Sequence, residues 1–157
     1  MRKYTKSQLA EKLYRQKLKE IEDKVMKKNN TTFLKELDGV GHQLFGVRYK
    51  GTFPSDKIPK LNNLSPYCIL NLDRSDEAGS HWIALAKDVH NDRCLVYDSF
   101  GRTHTKIIPN LRFSGNGRVV DADKDKEQNP KETNCGQRCL SFLAIYDKWG
   151  YSIAKLI

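Results

Sequence analysis

Three apolar runs of β character crowd into about one fifth of the chain: YCILNL (67–72), HWIALAK (81–87) and RCLVYD (93–98). They are rich in the β-branched and aromatic residues that suit a pleated, half-buried surface. Asn91-Asp92, between the last two runs, is a hairpin signal. A chain with these segments is committed to a sheet, and RVVDA (118–122) offers it a fourth strand. Residues 135–149 read as a helix that is apolar over most of its circumference, through Cys139, Leu140, Phe142, Leu143, Ile145 and Tyr146. Such a helix must be buried. The order of helices, then a strand meander, then a helix predicts an α+β fold, with a mainly antiparallel central sheet packed on the helix that begins at Cys135.

Upstream, Leu9, Leu13, Leu18, Ile21 and Val25 form one apolar stripe, which predicts a helix over 6–28. Thr5 and Gln8 have the spacing of a capping box at its start. A shorter helix is expected over 32–37, ending at Asp38-Gly39. Residues 39–66, rich in Gly, Pro, Asn and Asp, and the polar stretch 123–134 read as loops. The 157 residues therefore suggest a basic helical extension, 1–30, followed by one compact domain, 31–157.

The formal net charge is +9, and residues 1–30 carry +6 of it, from ten Lys/Arg and four Asp/Glu. A solvated lysine-rich helix explains this, and so does a polyanion partner such as DNA. No apolar run approaches the roughly 20 residues of a membrane span, so no membrane partner is expected. The first residues lack an apolar signal core, so a secreted protein is not expected. The four cysteines, Cys68, Cys94, Cys135 and Cys139, are accordingly read as reduced thiols.

One thiol stands apart. Cys135 opens the predicted helix, where the positive end of the helix dipole favours a thiolate, and Gly136 beside it lets a substrate backbone approach. Cys139 is mid-helix and lacks both advantages. His81 opens one predicted strand and Asp98 closes the next, so an antiparallel pairing puts imidazole and carboxylate at the same sheet edge. Gln128, seven residues before Cys135, can donate to an oxyanion beside the Cys135 N–H. Each residue type has an ordinary structural use. The combination of nucleophile, base, orienter and oxyanion donor carries the reading. His42, His90 and His104 are read as structural or solvated.

The segments GSHWIALAKDVHNDRCLVYDSFG (79–101) and QNPKETNCGQRCLSFL (128–143) resemble the adenain family, the adenovirus maturation proteases, whose fold is shared with SUMO-deconjugating proteases. The family opens a strand with His-Trp, ends the next with acid-X-Phe-Gly, and leads through Gln-X-Pro to Cys-Gly on a buried helix. LFGVRYKGTFPSDKIP (44–59) also resembles the family's N-terminal region, so the likeness spans roughly residues 31–150. It implies a papain-like cysteine protease fold. It gives His81, Asp98, Gln128 and Cys135 the catalytic positions, with Trp82 and Gly136 lining the substrate site. It further implies viral capsid and core precursors as substrates, Gly-containing cleavage sites, and activation by DNA. The chemistry needs no cofactor and no metal. The expected location is the virion and the host nucleus or virus factory.

Three departures accompany the resemblance. The orienter is Asp98 where adenain has Glu, as in the SUMO-protease branch. The segment SGNGRVVDADK (114–124) lacks the cysteine through which adenain bonds its activating peptide. Only 22 residues follow Cys135, while a basic helix precedes the domain. Other readings are a SUMO or ubiquitin-like deconjugase of the same fold, a DNA-binding virion protein without activity, and a zinc site using Cys135 and Cys139 with Cys68 or Cys94.

Overall fold

The computed structural model describes residues 3–24, 30–72, 81–122 and 134–157. The first helix, α1 (Lys6–Lys24), opens with the capping box: Thr5 N–H donates to Gln8 Oε1 at 2.9 Å, and Gln8 N–H to Thr5 Oγ1 at 3.1 Å. Its buried stripe is Ala10, Tyr14, Leu18 and Ile21. This lies one residue round from the expected stripe, with Leu9 and Leu13 only half-buried. Apolar spacing does not single out the polar-tipped Tyr14 or the small Ala10, yet both are buried. The last predicted residues of this helix, including Val25, lie outside the described residues.

The second helix, α2 (Asn30–Phe45), runs straight through Gly39 and Gly41, where a loop was expected. Each interior glycine costs roughly 1 kcal/mol against alanine. Leu37, Val40 and Phe45 are buried on the same helix, and full burial of such side chains contributes about 1.5–3 kcal/mol each. Burial outweighs the two glycines. A 3-10 turn (Gly46–Arg48) leads into β1 (Tyr49–Pro54), a strand that the loop-like composition concealed.

Four more strands follow: β2 (Tyr67–Asn71), β3 (Trp82–Asp88), β4 (Arg93–Tyr97) and β5 (Arg118–Asp121). The sheet order is β1-β2-β3-β4-β5. β2, β3 and β4 are antiparallel neighbours, whereas β1 pairs parallel with β2 and β5 parallel with β4. The sheet is therefore mixed, which corrects the expectation of a mainly antiparallel one. The cause is the length of the links. Residues 55–66 and 98–117, the latter holding the one-turn helix α3 (His104–Ile107) and a 3-10 stretch (Pro109–Phe113), are long enough to cross over and return in the same direction.

The sheet faces alternate as the pleat requires. Tyr67, Ile69, Ala84, Leu95 and Tyr97 face a core built with α1, α2 and the long helix α4 (Cys135–Trp149). Cys68, Leu70, Leu85, Cys94 and Val96 face a second core closed by Leu61, Ile108 and Leu111. The helix α4 lies between the sheet and α1 and is extended by the short α5 (Tyr151–Ala154).

The two α2 glycines are expected to respond with opposite signs. A Cβ at Gly41 would overlap the buried Tyr49 ring, whereas a Cβ at Gly39 meets nothing within 4 Å. Gly39→Ala should stabilise by up to about 1 kcal/mol from propensity. Gly41→Ala should destabilise, because overpacking of about 1–3 kcal/mol exceeds that gain. Urea midpoints of the two variants against the parent chain give both signs.

Candidate active site

The register that pairs Ala84 with Tyr97, continued past the strand ends, sets His81 opposite Phe100. Their rings stack there, centroids 4.6 Å apart and planes at 28°. Asp98 follows directly on β4, and its Oδ1 is 2.7 Å from His81 Nε2. Beyond it the chain turns back sharply, with Gly101 at φ +68° and its N–H on the Asp98 carbonyl at 2.8 Å. Glycine adopts that left-handed backbone without penalty. The turn aims a set of donors at one carboxylate. The Phe100 N–H reaches Oδ1 at 3.1 Å, and Arg102 reaches Oδ2 through Nε at 2.8 Å and through its N–H at 3.3 Å.

These contacts decide the electrostatics. Burial pushes the Asp98 carboxyl up, but the bonds from His81, Arg102 and the Phe100 N–H outweigh it and hold the carboxyl down at about 2. Burial pushes the His81 imidazole down, and its bonds to Asp98 and to the Cys135 thiol outweigh that, so it is raised above its ordinary value. With Nε2 engaged by Asp98, Nδ1 is the ring nitrogen left for the thiol. Cys135 is the first residue of α4. The remaining thiols are fully buried, which pushes Cys68 and Cys139 well above the ordinary range and Cys94 to about 12. Cys68 and Cys94 lie in the core on the other face of the sheet from Cys135 and Cys139.

Of the residues singled out by sequence, the structure brings His81 and Asp98 into contact, and Cys135 lies near enough to the imidazole to help raise it. Gly136 is buried in the first turn of α4, and Trp82 is buried in the core on the α4 side of the sheet. Gln128 lies outside the described residues. His42 is exposed beside Asp38, and His104 contacts Asp121, its Nδ1 3.1 Å from Oδ1. Sequence reasoning missed Arg102. Its spacing of four from Asp98 was visible, but only the left-handed turn at Gly101 brings it back to the carboxylate.

A thiol at a helix N-terminus, beside an imidazole–carboxylate pair at the edge of a mixed sheet, carries the groups that a cysteine protease site uses. The profile of the adenovirus endoprotease family matches residues 44–155, and the chain belongs to that family. Individual relatives agree. A protein of Acanthamoeba polyphaga mimivirus, named as a candidate thiol protease, is 31% identical over 84 residues, 48% of this chain and 28% of that protein. The protease of human adenovirus B serotype 3 is 23% identical over 67% of this chain and 53% of its own length. The protease of ovine adenovirus D serotype 7 is 22% identical over 71% of this chain and 59% of its own length. The chain spans less than two thirds of each of these curated relatives.

The depressed Asp98 carboxyl links stability to acid. An unfolded Asp titrates near 3.9 and the folded one at about 2. The stabilisation from Asp98 is complete above about pH 4 and is lost as the pH falls toward 2. Asp98→Asn has no such group, so its unfolding free energy should fall less steeply than the parent's between pH 4 and 2. Urea titrations across that window measure the difference in slope.

Proposed function

We propose that this chain is a cysteine endopeptidase that cleaves viral capsid and core precursor proteins at Gly-containing sites during virion maturation. The observation that carries the reading is the His81 imidazole resting on Asp98 at 2.7 Å, with the Cys135 thiol near enough to help raise its pKa, in a chain of the adenovirus endoprotease family. The Cys135 sulfur attacks the scissile carbonyl as its proton passes to His81. Asp98 orients the imidazole and stabilises the imidazolium. The Cys135 N–H and Gln128 hold the tetrahedral oxyanion. The C–N bond then breaks as His81 returns the proton to the leaving amine, leaving a thioester. Water, giving its proton to His81, hydrolyses the thioester and frees the thiol. The pH dependence of this cycle belongs to the His81–Cys135 pair rather than to either group.

The chemistry requires no metal or organic cofactor. DNA is the proposed activator, offered the exposed Lys12, Arg15, Lys19 and Lys24 of α1. Its contribution would fall steeply with salt. The proposed setting is the virion and the nucleus or factory where it assembles.

Cleavage of a peptide with Gly at the cleaved bond tests the reading. Cys135→Ala should lower turnover by more than about 10⁴-fold. Gln128→Ala should lower it by about 10²–10³ and leave measurable activity. Cys139→Ala should keep cleaving. A Cys135→Ala protein that still turns over, beside an inactive Cys139→Ala, would refute the assignment. Hydrolysis of SUMO or ubiquitin conjugates in place of the peptide would move the substrate class to deconjugation.

A further inference from the structure

The residue before the thiol behaves unusually. Asparagine at a helix N-cap normally turns its side-chain oxygen onto the first free N–H groups, with its own backbone extended. Asn134 makes no side-chain cap bond to α4, and its backbone sits at φ −103°, ψ 26°. Its side chain is drawn the other way at both ends. Asn134 Nδ2 donates to Glu22 Oε1 of α1 at 2.8 Å, and Arg138 Nε donates to Asn134 Oδ1 at 3.0 Å.

Arg138 is itself held by α1. Its Nη1 donates to the Tyr14 hydroxyl at 3.2 Å. That hydroxyl also bonds the Tyr97 hydroxyl at 2.7 Å, and Tyr97 immediately precedes Asp98. Ser141 Oγ donates to the Tyr14 carbonyl at 2.7 Å, which ties the same α1 residue to α4 a second time. Tyr14 and Arg138 are both buried, so these bonds are shielded from competing water. One α1 side chain therefore links the strand end that carries Asp98 to the helix start that carries Cys135.

The conformation of Asn134 matters for chemistry. Its ψ rotates the peptide plane that contains the Cys135 N–H. The Arg138 N–H bonds the Asn134 carbonyl at 2.9 Å, which directs that carbonyl along the helix and the Cys135 N–H out of its end. We propose that Tyr14 and Glu22 of α1, with Arg138, are positioning residues that hold Asn134 off the N-terminus of α4 and keep its N–H groups open to a substrate carbonyl. Released from them, Asn134 turns to the extended backbone and caps the Gly136 or Gln137 N–H of its own helix, and the same change of ψ swings the Cys135 N–H away from the substrate carbonyl. The inference rests on the protease reading and deepens it.

The test is epistasis in the full-length chain, read by turnover of the Gly-containing peptide and by alkylation of Cys135 with iodoacetamide, which uses no oxyanion donor. Arg138→Met should lower kcat about 10²-fold, the usual effect of losing an oxyanion donor, with KM little changed. Adding Asn134→Ala, a side chain that cannot cap, should restore most of that loss. The alkylation rate should stay at the parent value throughout. Tyr14→Phe, which removes only a hydroxyl, should show a smaller loss with the same recovery and serves if Arg138→Met does not fold. Parent-like turnover in both single variants overturns the inference. So does a loss that Asn134→Ala does not recover, or a parallel fall in alkylation. A parent thiol no faster than free cysteine overturns the underlying protease reading instead.

Discussion

The arrangement depends on keeping one buried carboxylate ionised. Asp98 is almost wholly inaccessible, and an unpaired charge in that position would cost several kcal/mol. The chain surrounds it with donors on both oxygens: the imidazole and a backbone N–H on one, the Arg102 guanidinium and a second backbone N–H on the other. Arg102 remains half-exposed, so the positive partner stays hydrated while its Nε reaches inward. His81 is in turn clamped between Asp98 and the Phe100 ring, which fixes the plane of the imidazole and the direction of its second nitrogen. Everything downstream of that orientation, including the meeting with Cys135, follows from a five-residue turn whose backbone only Gly101 makes easy.

Much of this was legible in the sequence because it is local. The helix from Cys135 to Trp149 has the limits its apolar residues suggest, and β2 to β5 lie within a residue or two of the runs that announced them. The pairing of His81 with Asp98 followed from strand ends meeting at one sheet edge. What could not be read is relational. Periodicity does not state strand direction, so the parallel pairing of β1 with β2 and of β5 with β4 could not be read from it. Gly39 and Gly41 looked like a break, since nothing in the local sequence shows that Tyr49 occupies the space a side chain at Gly41 would take. The partition of α1 into buried and wet faces was misjudged by one residue because Tyr14 is anchored by hydroxyl bonds to Tyr97 and Arg138, contacts that apolar spacing cannot register.

Those bonds join residues separated by 83 and 124 positions, and the Ser141 bond spans 127. Contacts of that separation are slow to form, because most of the chain must be ordered to close them. During synthesis they also have an absolute order. The helix α1 emerges first and can coil on its own capping box, yet its buried stripe has no surface to rest on until α4 has left the ribosome. The thiol, too, is delivered by that late segment, after the imidazole and carboxylate are already made. A nascent chain therefore holds the imidazole–carboxylate pair before it holds Cys135, and the thiol takes its place only as the two distant helices close on each other.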